Sequence, residues 1–204
     1  MNWSGVIRRI GLLGGTFDPP HIGHLWLGET ARDQLGLDEV WFLPVGEPPH
    51  KEGRGITAVS HRLQMTQLSI QATPDFSLNQ SDIDRDPPHT TNSLLHTLRQ
   101  THQDTEFWLI IGADSLRDLP TWNSPCQLIT QCRLAVLDRP GVVFDWDVLE
   151  TAVPGVLSAT DWLDGPTVDI SSTAIRNWAK QGRSLQILVK TAVLHYIREN
   201  KLYT

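Results

Sequence analysis

Residues 14–24 constrain the fold of this 204-residue chain more than any other segment, because they join an apolar run to a helical pattern through two glycines. Residues 10–13 form the apolar run, and leucine and alanine recur at helical spacing after the segment. The pattern predicts a strand, a glycine turn and the start of a helix. Gly14 and Gly15 have no Cβ, so a ligand can approach the backbone closely there.

Two histidines stand at this predicted helix start. His21 and His24 are three residues apart, so a helix places both on one face of its N-terminal turn. Unpaired N–H groups and a partial positive charge at that end favour a phosphate. Two imidazoles there can donate hydrogen bonds to a phosphoryl oxygen as negative charge builds on it. The segment is neither a Walker A loop nor a Gly-x-Gly-x-x-Gly fingerprint, since it lacks the residues that define them.

Strand-like and helix-like segments alternate along the chain, which favours βαβ units. Strands are predicted at residues 8–13, 39–43, 76–78, 106–111, 133–137 and 167–170. The predicted fold is therefore α/β, a Rossmann-like, doubly wound and mostly parallel sheet with helices on both faces. No repeat or linker interrupts residues 1–204, so we expect a single domain. Ligands of such sheets bind at the carboxyl ends of the strands.

Polar residues follow the predicted strands at this edge. Lys51, in a proline-rich loop after the second strand, is a reasonable phosphate partner, although alone it would more often be a solvated lysine. Gly112 allows close approach after a long apolar strand, and Asp114 can accept hydrogen bonds from ribose hydroxyls. Trp122 offers a flat face to an aromatic base, although core packing is the commoner role of a lone tryptophan.

Three hydroxyl residues and an arginine begin a further predicted helix near residue 171. Ser171, Ser172 and Thr173 can cap the helix and also bind phosphate. Arg176 lies one turn further on and can fork onto phosphate oxygens. An ordinary Ser/Thr cap is common, but its pairing with a His-x-Gly-His segment in one chain is not.

Composition excludes several classes of function. A formal charge of −6 argues against general affinity for nucleic acid. Cys126 and Cys132 are too few for a disulfide framework or a zinc ribbon, and reduced thiols fit a cytoplasmic protein. No apolar run approaches a membrane span. We therefore expect a cytoplasmic protein with no nucleic-acid or membrane partner. The sequence is compatible with a homo-oligomer.

The segment Gly-Gly-Thr-Phe-Asp-Pro-Pro-His-Ile-Gly-His resembles the first signature of bacterial nicotinate-nucleotide adenylyltransferases, within the His-x-Gly-His nucleotidyltransferase superfamily. Ile-Ser-Ser-Thr-Ala-Ile-Arg, at residues 170–176, matches the last signature of that family in full. A class I aminoacyl-tRNA synthetase would carry Lys-Met-Ser-Lys-Ser instead. The Pro-Pro-His-Lys loop and Gly-Ala-Asp-Ser-Leu followed by Trp122 are also typical of the family.

One family element is matched only in part. His89, Asn92 and Ser93 stand where tyrosine, aspartate and threonine are usual, while Thr90 and Leu94 match. This element borders the nicotinate ring in the family. We expect it, and not Trp122, to set a preference for the acid over the amide, because a helix start favours an anion.

The resemblance implies an adenylyltransferase of NAD biosynthesis that converts ATP and nicotinate mononucleotide into deamido-NAD and pyrophosphate. Mg²⁺ would accompany ATP, with no metal held by protein side chains alone. The implied catalytic residues are His21, His24 and Lys51. The implied ATP-binding residues are Gly14, Gly15, Thr16, Phe17, His24, Gly112, Asp114, Ser171, Ser172, Thr173 and Arg176. The implied nicotinate-nucleotide-binding residues are Thr16, Phe17, His50, Lys51, His89, Thr90 and Trp122.

Two alternatives remain open at this point. A sister nucleotidyltransferase would adenylylate nicotinamide mononucleotide or phosphopantetheine. A nucleotide-binding regulatory protein would bind the same ligands without turnover, and the departures at His89 and Asn92 give that reading some weight.

Overall fold

The structure, a computed structural model, describes residues 7–46, 55–138, 143 and 145–204. Within this part, six parallel strands form one sheet in the order β3-β2-β1-β4-β5-β6. The strands are β1 (Arg8–Gly15), β2 (Glu39–Pro44), β3 (Phe76–Leu78), β4 (Thr105–Gly112), β5 (Arg133–Leu137) and β6 (Thr160–Leu163). The doubly wound α/β fold predicted from the sequence is confirmed.

Helices connect the strands and close the chain. They are α1 (Ile22–Leu35), α2 (Val59–Ile70), α3 (Ser81–Asp84), α4 (Thr91–Thr101), α5 (Ala113–Asp118), α6 (Pro125–Gln131), α7 (Trp146–Ala152), α8 (Val156–Ala159), α9 (Ser172–Lys180) and α10 (Thr191–Glu199), with a 3₁₀ turn at Leu119–Thr121. None of the helices in the described ranges is both long and apolar enough to cross a membrane.

Apolar side chains alternate between the two faces of the sheet, and helices cover both faces. On one face, Ile10 and Leu12 of β1 pack with leucines of α4 and α6. On the other face, Leu13 of β1 packs with Ala31 of α1 and Ile70 of α2. The central strands therefore read as nearly continuous apolar runs, as expected of a parallel sheet buried on both sides.

The sheet order reverses between β1 and β4. From β1 the chain proceeds outward through β2 and β3, whereas β4 pairs with the other edge of β1 and continues through β5 and β6. Such a switch point leaves a crevice at the carboxyl ends of the two central strands, where ligands of open α/β sheets bind. The glycines that end β1 and β4 lie at this crevice.

The predicted strand at residues 167–170 is wrong. The sixth strand is β6, which lies in a stretch whose pattern was too weak to assign, and residues 167–170 line a cavity instead. The weak pattern has a physical cause, because β6 is the edge strand and Trp162 is exposed. The side chain of Asp161 pairs with Arg133 of β5 at 2.6 Å, so a charge occupies a position where an apolar residue would mark a strand.

The acidic run at residues 82–86 contains a buried ion pair, although Asp84 and Asp86 are exposed. Asp82 belongs to α3 and is buried, with Arg85 paired to it at 2.6 Å. Arg85 also donates to the carbonyl of Pro88 at 2.6 Å and to the hydroxyl of Ser93 at 2.8 Å. The ion pair therefore holds the loop that precedes α4, and its charges do not face water.

Candidate active site

A cavity of about 600 Å³ opens at the carboxyl edge of the sheet, beside the switch point. Four parts of the chain meet there: the loop after β1, the first turn of α1, the ends of β4 and β5, and the segment that leads into α9. Predicted site residues in its lining are Thr16, Phe17, His21, His24, Gly112, Ser171, Ser172, Thr173 and Arg176. The first and last sequence signatures thus share one cavity, although some 150 residues separate them.

The two histidines lie in contact at the start of α1. Their rings stack with centroids 3.7 Å apart and an interplanar angle of 27°. Nδ1 of His24 accepts a hydrogen bond from the backbone N–H of His21 at 3.2 Å. Because Nδ1 is an acceptor, the proton of the neutral ring lies on Nε2, which makes Nε2 a donor. Both imidazoles lie together at the first turn of α1, which is the placement that their spacing in the sequence predicted.

Gly23 and Phe17 limit the space around the two imidazole rings. A Cβ on Gly23 would lie 3.1 Å from the His21 ring, so a larger residue there would require the ring to shift. Phe17 is buried and meets His24 edge-on, with ring centroids 4.9 Å apart. Its φ of +50° is uncommon for a residue with a side chain, and strained residues of this kind concentrate at functional sites. The loop after β1 is therefore held by packing in one shape.

The start of α9 contacts the β1 loop directly. Ser171 caps the helix, with its Oγ accepting from the N–H of Ala174 at 3.2 Å. Ser172 donates its hydroxyl to the carbonyl of Pro19 at 2.8 Å, and Arg176 donates to the carbonyl of Asp18 at 2.8 Å. These two bonds fix the position of the hydroxyls and the guanidinium relative to the histidine pair.

Two glycines border the crevice between the central strands. Gly112 precedes the first residue of α5 and lines the cavity. A Cβ on Gly14 would meet nothing within 4 Å, so protein packing does not require glycine there. Asp114 lies in the first turn of α5, next to Gly112 but outside the cavity lining.

Other predicted residues lie apart from the cavity lining. Trp122 is partly buried and packs against the core of the sheet. His89 is hydrogen-bonded through Nδ1 to the carbonyl oxygen of Asp82 at 3.0 Å, and Thr90 caps α4 in a reciprocal pair with Ser93. Among the described residues, most of those predicted to bind ATP line the cavity, whereas most of those predicted to bind the nicotinate nucleotide do not. His50 and Lys51 lie outside the described residues.

Arg62 is a residue of the site region that the sequence analysis missed. It is 1% exposed, and its guanidinium donates to the carbonyls of Thr16, Val45, Gly46 and Thr57 at 2.7–3.0 Å. Burial lowers the pKa of Arg62, and the nearby charge of Asp18 opposes that shift. Arg62 therefore ties the loop after β1 to the loop after β2. The signal that could have found it is its place on the same face of α2 as buried Met65, three residues later.

Asp18 and Tyr203 were likewise missed. Asp18 is 1% exposed, and Oδ1 accepts the hydroxyl of Tyr203 at 2.6 Å, while Oδ2 accepts the backbone N–H of Thr57 at 3.2 Å. Met65 lies beside the same hydroxyl, with Sδ 3.8 Å away. The contact joins the first signature to the penultimate residue of the chain, so no local pattern could have indicated it.

Comparison with known proteins first defines the class. Residues 12–178 match the cytidylyltransferase-like family model. The chain belongs to this family of nucleotidyltransferases, as the sheet order and the paired signatures led us to expect.

The curated relatives narrow the class further. A probable nicotinate-nucleotide adenylyltransferase of Thermomicrobium roseum is 39% identical over 197 residues, which cover 97% of this chain and 92% of the relative. One from Salinibacter ruber is 38% identical over 194 residues, which cover 95% of this chain and 97% of the relative. The chain therefore belongs to the nicotinate-nucleotide adenylyltransferase family, and it is an enzyme of the nucleotidyltransferase class.

Solved structures have the same fold. The Plasmodium falciparum nicotinic acid mononucleotide adenylyltransferase complexed with NaAD superposes with a TM-score of 0.78 at 19% identity, covering 96% of this chain and 97% of that chain. The same enzyme complexed with APC gives a TM-score of 0.77 at 18% identity. At this level of identity the likeness concerns the fold alone.

Proposed function

We propose that this chain transfers the adenylyl group of ATP to nicotinate mononucleotide, releasing pyrophosphate and forming deamido-NAD. Membership of the nicotinate-nucleotide adenylyltransferase family supports this reaction. The observation that carries it in this chain is the meeting of the stacked histidine pair with the Ser/Thr/Arg start of α9 in one cavity. The histidine pair suits the α-phosphate of ATP, and the start of α9 suits the β- and γ-phosphates, which leave as pyrophosphate.

The reaction needs no covalent intermediate with the protein. A phosphate oxygen of the mononucleotide attacks the α-phosphorus of ATP in line, and a new P–O bond forms. The bond from the α-phosphorus to the oxygen bridging the β-phosphate breaks, and pyrophosphate leaves with that electron pair. Such chemistry is chiefly a matter of positioning and charge stabilisation, which a rigid cavity with fixed donors supplies.

In this proposal, the histidine pair stabilises charge at the α-phosphate. Nε2 of His24 is the donor, since its Nδ1 is engaged with the backbone of His21. Donors fixed before the reaction incur no reorganisation cost as negative charge develops. Stacking against His21 and the edge contact with Phe17 support the fixed orientation of the ring. Lys51, which lies outside the described residues, is proposed as a further cation for the reacting phosphates.

The start of α9 is proposed to hold the leaving pyrophosphate. Ser171, Ser172 and Thr173 offer hydroxyls and backbone N–H groups at a helix start, and Arg176 offers a planar fork of donors. Further ATP contacts are assigned to the β1 loop and the end of β4. These residues are Gly14, Gly15, Thr16, Phe17, Gly112 and Asp114.

Mg²⁺ is proposed to enter with ATP, held mainly by the phosphate oxygens. In the described part of the chain, two carboxylates line the cavity: each oxygen of Asp18 already accepts a hydrogen bond from the protein, whereas Asp169 is exposed. The hydroxyls and guanidinium of the site suit phosphate oxygens better than they suit a metal ion, which fits a cation carried by its substrate. When bound, Mg²⁺ would neutralise part of the phosphate charge.

The nicotinate nucleotide is proposed to contact Thr16, Phe17, His50, Lys51, His89, Thr90 and Trp122. The preference for the acid is assigned to the segment around Thr90, the N-cap of α4, where free N–H groups favour an anion. A cytoplasmic location is part of the same proposal, in line with the free thiols of Cys126 and Cys132.

Pyrophosphate release tests this function. The purified chain is incubated with ATP and Mg²⁺ plus nicotinate mononucleotide, nicotinamide mononucleotide or phosphopantetheine. We expect the highest kcat/KM with nicotinate mononucleotide. A higher value with either other acceptor would assign the chain to a sister activity. Binding of ATP and acceptor with no pyrophosphate would indicate a regulatory protein.

A further inference from the structure

Asp18 is a buried carboxylate beneath the cavity, and three groups converge on it. Tyr203 donates its hydroxyl to Oδ1 at 2.6 Å, and the backbone N–H of Thr57 donates to Oδ2 at 3.2 Å. Nη1 of Arg176 lies 3.9 Å from Oδ2 while donating to the backbone carbonyl of Asp18 at 2.8 Å. Arg62 also places positive charge nearby, but its hydrogen bonds go to four backbone carbonyls.

A tight turn after α10 places Tyr203 at this point. Lys201 and Tyr203 both have positive φ, +50° and +62°, which side-chain-bearing residues rarely adopt. The N–H of Leu202 closes the turn by donating to the carbonyl of Ile197 at 2.9 Å. Two unfavourable backbone conformations in three residues persist only where surrounding contacts compensate for them. The bond to Asp18 is one such contact.

The hydroxyl of Tyr203 is a permanent donor. Burial and the adjacent Asp18 carboxylate both raise the pKa of Tyr203 above its ordinary value, since each disfavours a phenolate. The proton therefore stays on the oxygen at neutral pH, and Asp18 always finds a donor there.

This arrangement bears on Arg176, which faces two negative partners. One is the Asp18 carboxylate, 3.9 Å away, and the other, in the proposed function, is a phosphate of ATP. A buried carboxylate that lacks a donor attracts the nearest cation strongly, because an unpaired buried charge is costly. Arg176 is that cation, and it is still 30% exposed on the cavity side. The hydrogen bond from Tyr203 weakens the attraction of Asp18 for the guanidinium of Arg176.

We propose that Tyr203 is a positioning residue for ATP: by donating to Asp18, it leaves the guanidinium of Arg176 available to the phosphates. The inference rests on the proposed function. It assigns a role in the active site to the last residues of the chain, which lie outside both sequence signatures.

Tyr203→Phe tests the inference, because it removes the hydroxyl and keeps the ring. Tyr196→Phe is the matched control, since Tyr196 is the other tyrosine of the chain and its hydroxyl is hydrogen-bonded to Nδ1 of His61 at 2.8 Å, not to Asp18. ATP affinity is measured by calorimetry without acceptor, and KM values are measured for both substrates. Tyr203→Phe should weaken ATP about three- to tenfold, the scale of one net hydrogen bond. The KM of the acceptor and the affinity of Tyr196→Phe for ATP should not change.

A double-mutant cycle with Arg176→Ala separates positioning from a structural role. If Tyr203 acts through Arg176, Tyr203→Phe should have little effect on ATP affinity once Arg176 is alanine. An equal effect in both backgrounds, an equal rise in both KM values, or no effect at all would overturn the inference. Wild-type chain that binds ATP but releases no pyrophosphate would contradict the proposed function instead.

Discussion

His24 is the side chain whose loss should lower turnover most. His24→Ala removes a fixed donor to the α-phosphate, so kcat should fall by two or more orders of magnitude, roughly the effect of losing one transition-state donor. The melting temperature should change little, because the ring lies at the cavity and not in the core.

The control for this prediction is His96→Ala. His96 is exposed on α4, where its Nε2 contacts Gln100 at 2.9 Å, remote from the cavity. This variant should turn over like the wild type. A His24→Ala enzyme with a near-normal kcat would remove His24 from the mechanism.

Residues of the site divide according to how far apart their partners lie in the sequence. His21, His24, Ser171 and Arg176 could be predicted because a short local pattern carries each of them. The role of Arg62 could not be predicted, since three of its four partners are backbone carbonyls that lie 16 to 46 residues away in the sequence. Backbone carbonyls exist at every position, so sequence gives no sign of which ones a buried arginine will reach.

At the scale of elements, the ion pair between Asp161 and Arg133 holds β6 to β5. The contribution of this pair to the free energy of unfolding should depend on pH. Arg133 of β5 and the indole N–H of Trp108 both donate to Asp161, and the bond from Arg133 lowers the pKa of that carboxyl. A lowered pKa contributes stability above the pKa of the unfolded chain, and that stability is lost as pH falls through the folded-state pKa. Asp161→Asn should therefore reduce the free energy of unfolding by up to about 1 kcal/mol near pH 7, discounted for the partly exposed pair.

This difference between Asp161→Asn and wild type should shrink as the pH falls below the pKa of the unfolded carboxyl and through the lowered folded-state pKa, because both states then come to bind the proton. Denaturant unfolding at several pH values measures it. Asp118→Asn is the control, because Asp118 pairs with Arg117 but both side chains are more than half exposed. A loss from Asp161→Asn that persists unchanged at low pH would show that the charge is not its cause.

The loop before α6 depends on Asn92. Its amide donates to the carbonyls of Asn123 and Ser124, and its oxygen accepts from Gln131 at 2.9 Å. Ser124 has a φ of +48°, so this loop needs such support. Asn92→Asp places a carboxylate against two carbonyl oxygens and should cost about 1–3 kcal/mol of stability.

Thermal unfolding measures this cost, with Asn200→Asp as the control. Asn200 also donates its amide to a backbone carbonyl, that of Tyr196 at 2.9 Å, but it is exposed. Because Asn92 is turned towards α6, we expect the ratio of kcat/KM for the two pyridine mononucleotides to stay unchanged in Asn92→Asp. A stable variant with an altered ratio would instead place residue 92 in acceptor selection.

The bounds of strands could be predicted from sequence where both faces of the strand are buried. The strand predicted at residues 133–137 coincides with β5, and the helix predicted to follow the glycine turn is α1, which ends before Gly36, a residue in the left-handed conformation. The prediction failed at the edge strand β6, where one face meets solvent and an ion pair replaces apolar contact. It also failed at residues 167–170, whose apolar side chains line a cavity.

Across the whole molecule, topology accounts for the site. Neither signature forms it alone, because the histidines follow β1 and the hydroxyls begin α9, far apart in the sequence. The parallel sheet brings them together by placing β1 at its centre with its carboxyl end open. The sequence predicts a phosphate site at each segment, and the order of the strands explains why both segments lie at one cavity.

The most direct test of the central claim follows the acceptor's oxygen atoms through the reaction. Nicotinate mononucleotide is labelled with ¹⁸O in its phosphate and incubated with ATP, Mg²⁺ and the enzyme. Direct attack on the α-phosphorus predicts that all of the label appears in deamido-NAD, including its bridging oxygen, and that pyrophosphate is unlabelled. Label in the pyrophosphate, or consumption of ATP without a labelled dinucleotide, would contradict the account.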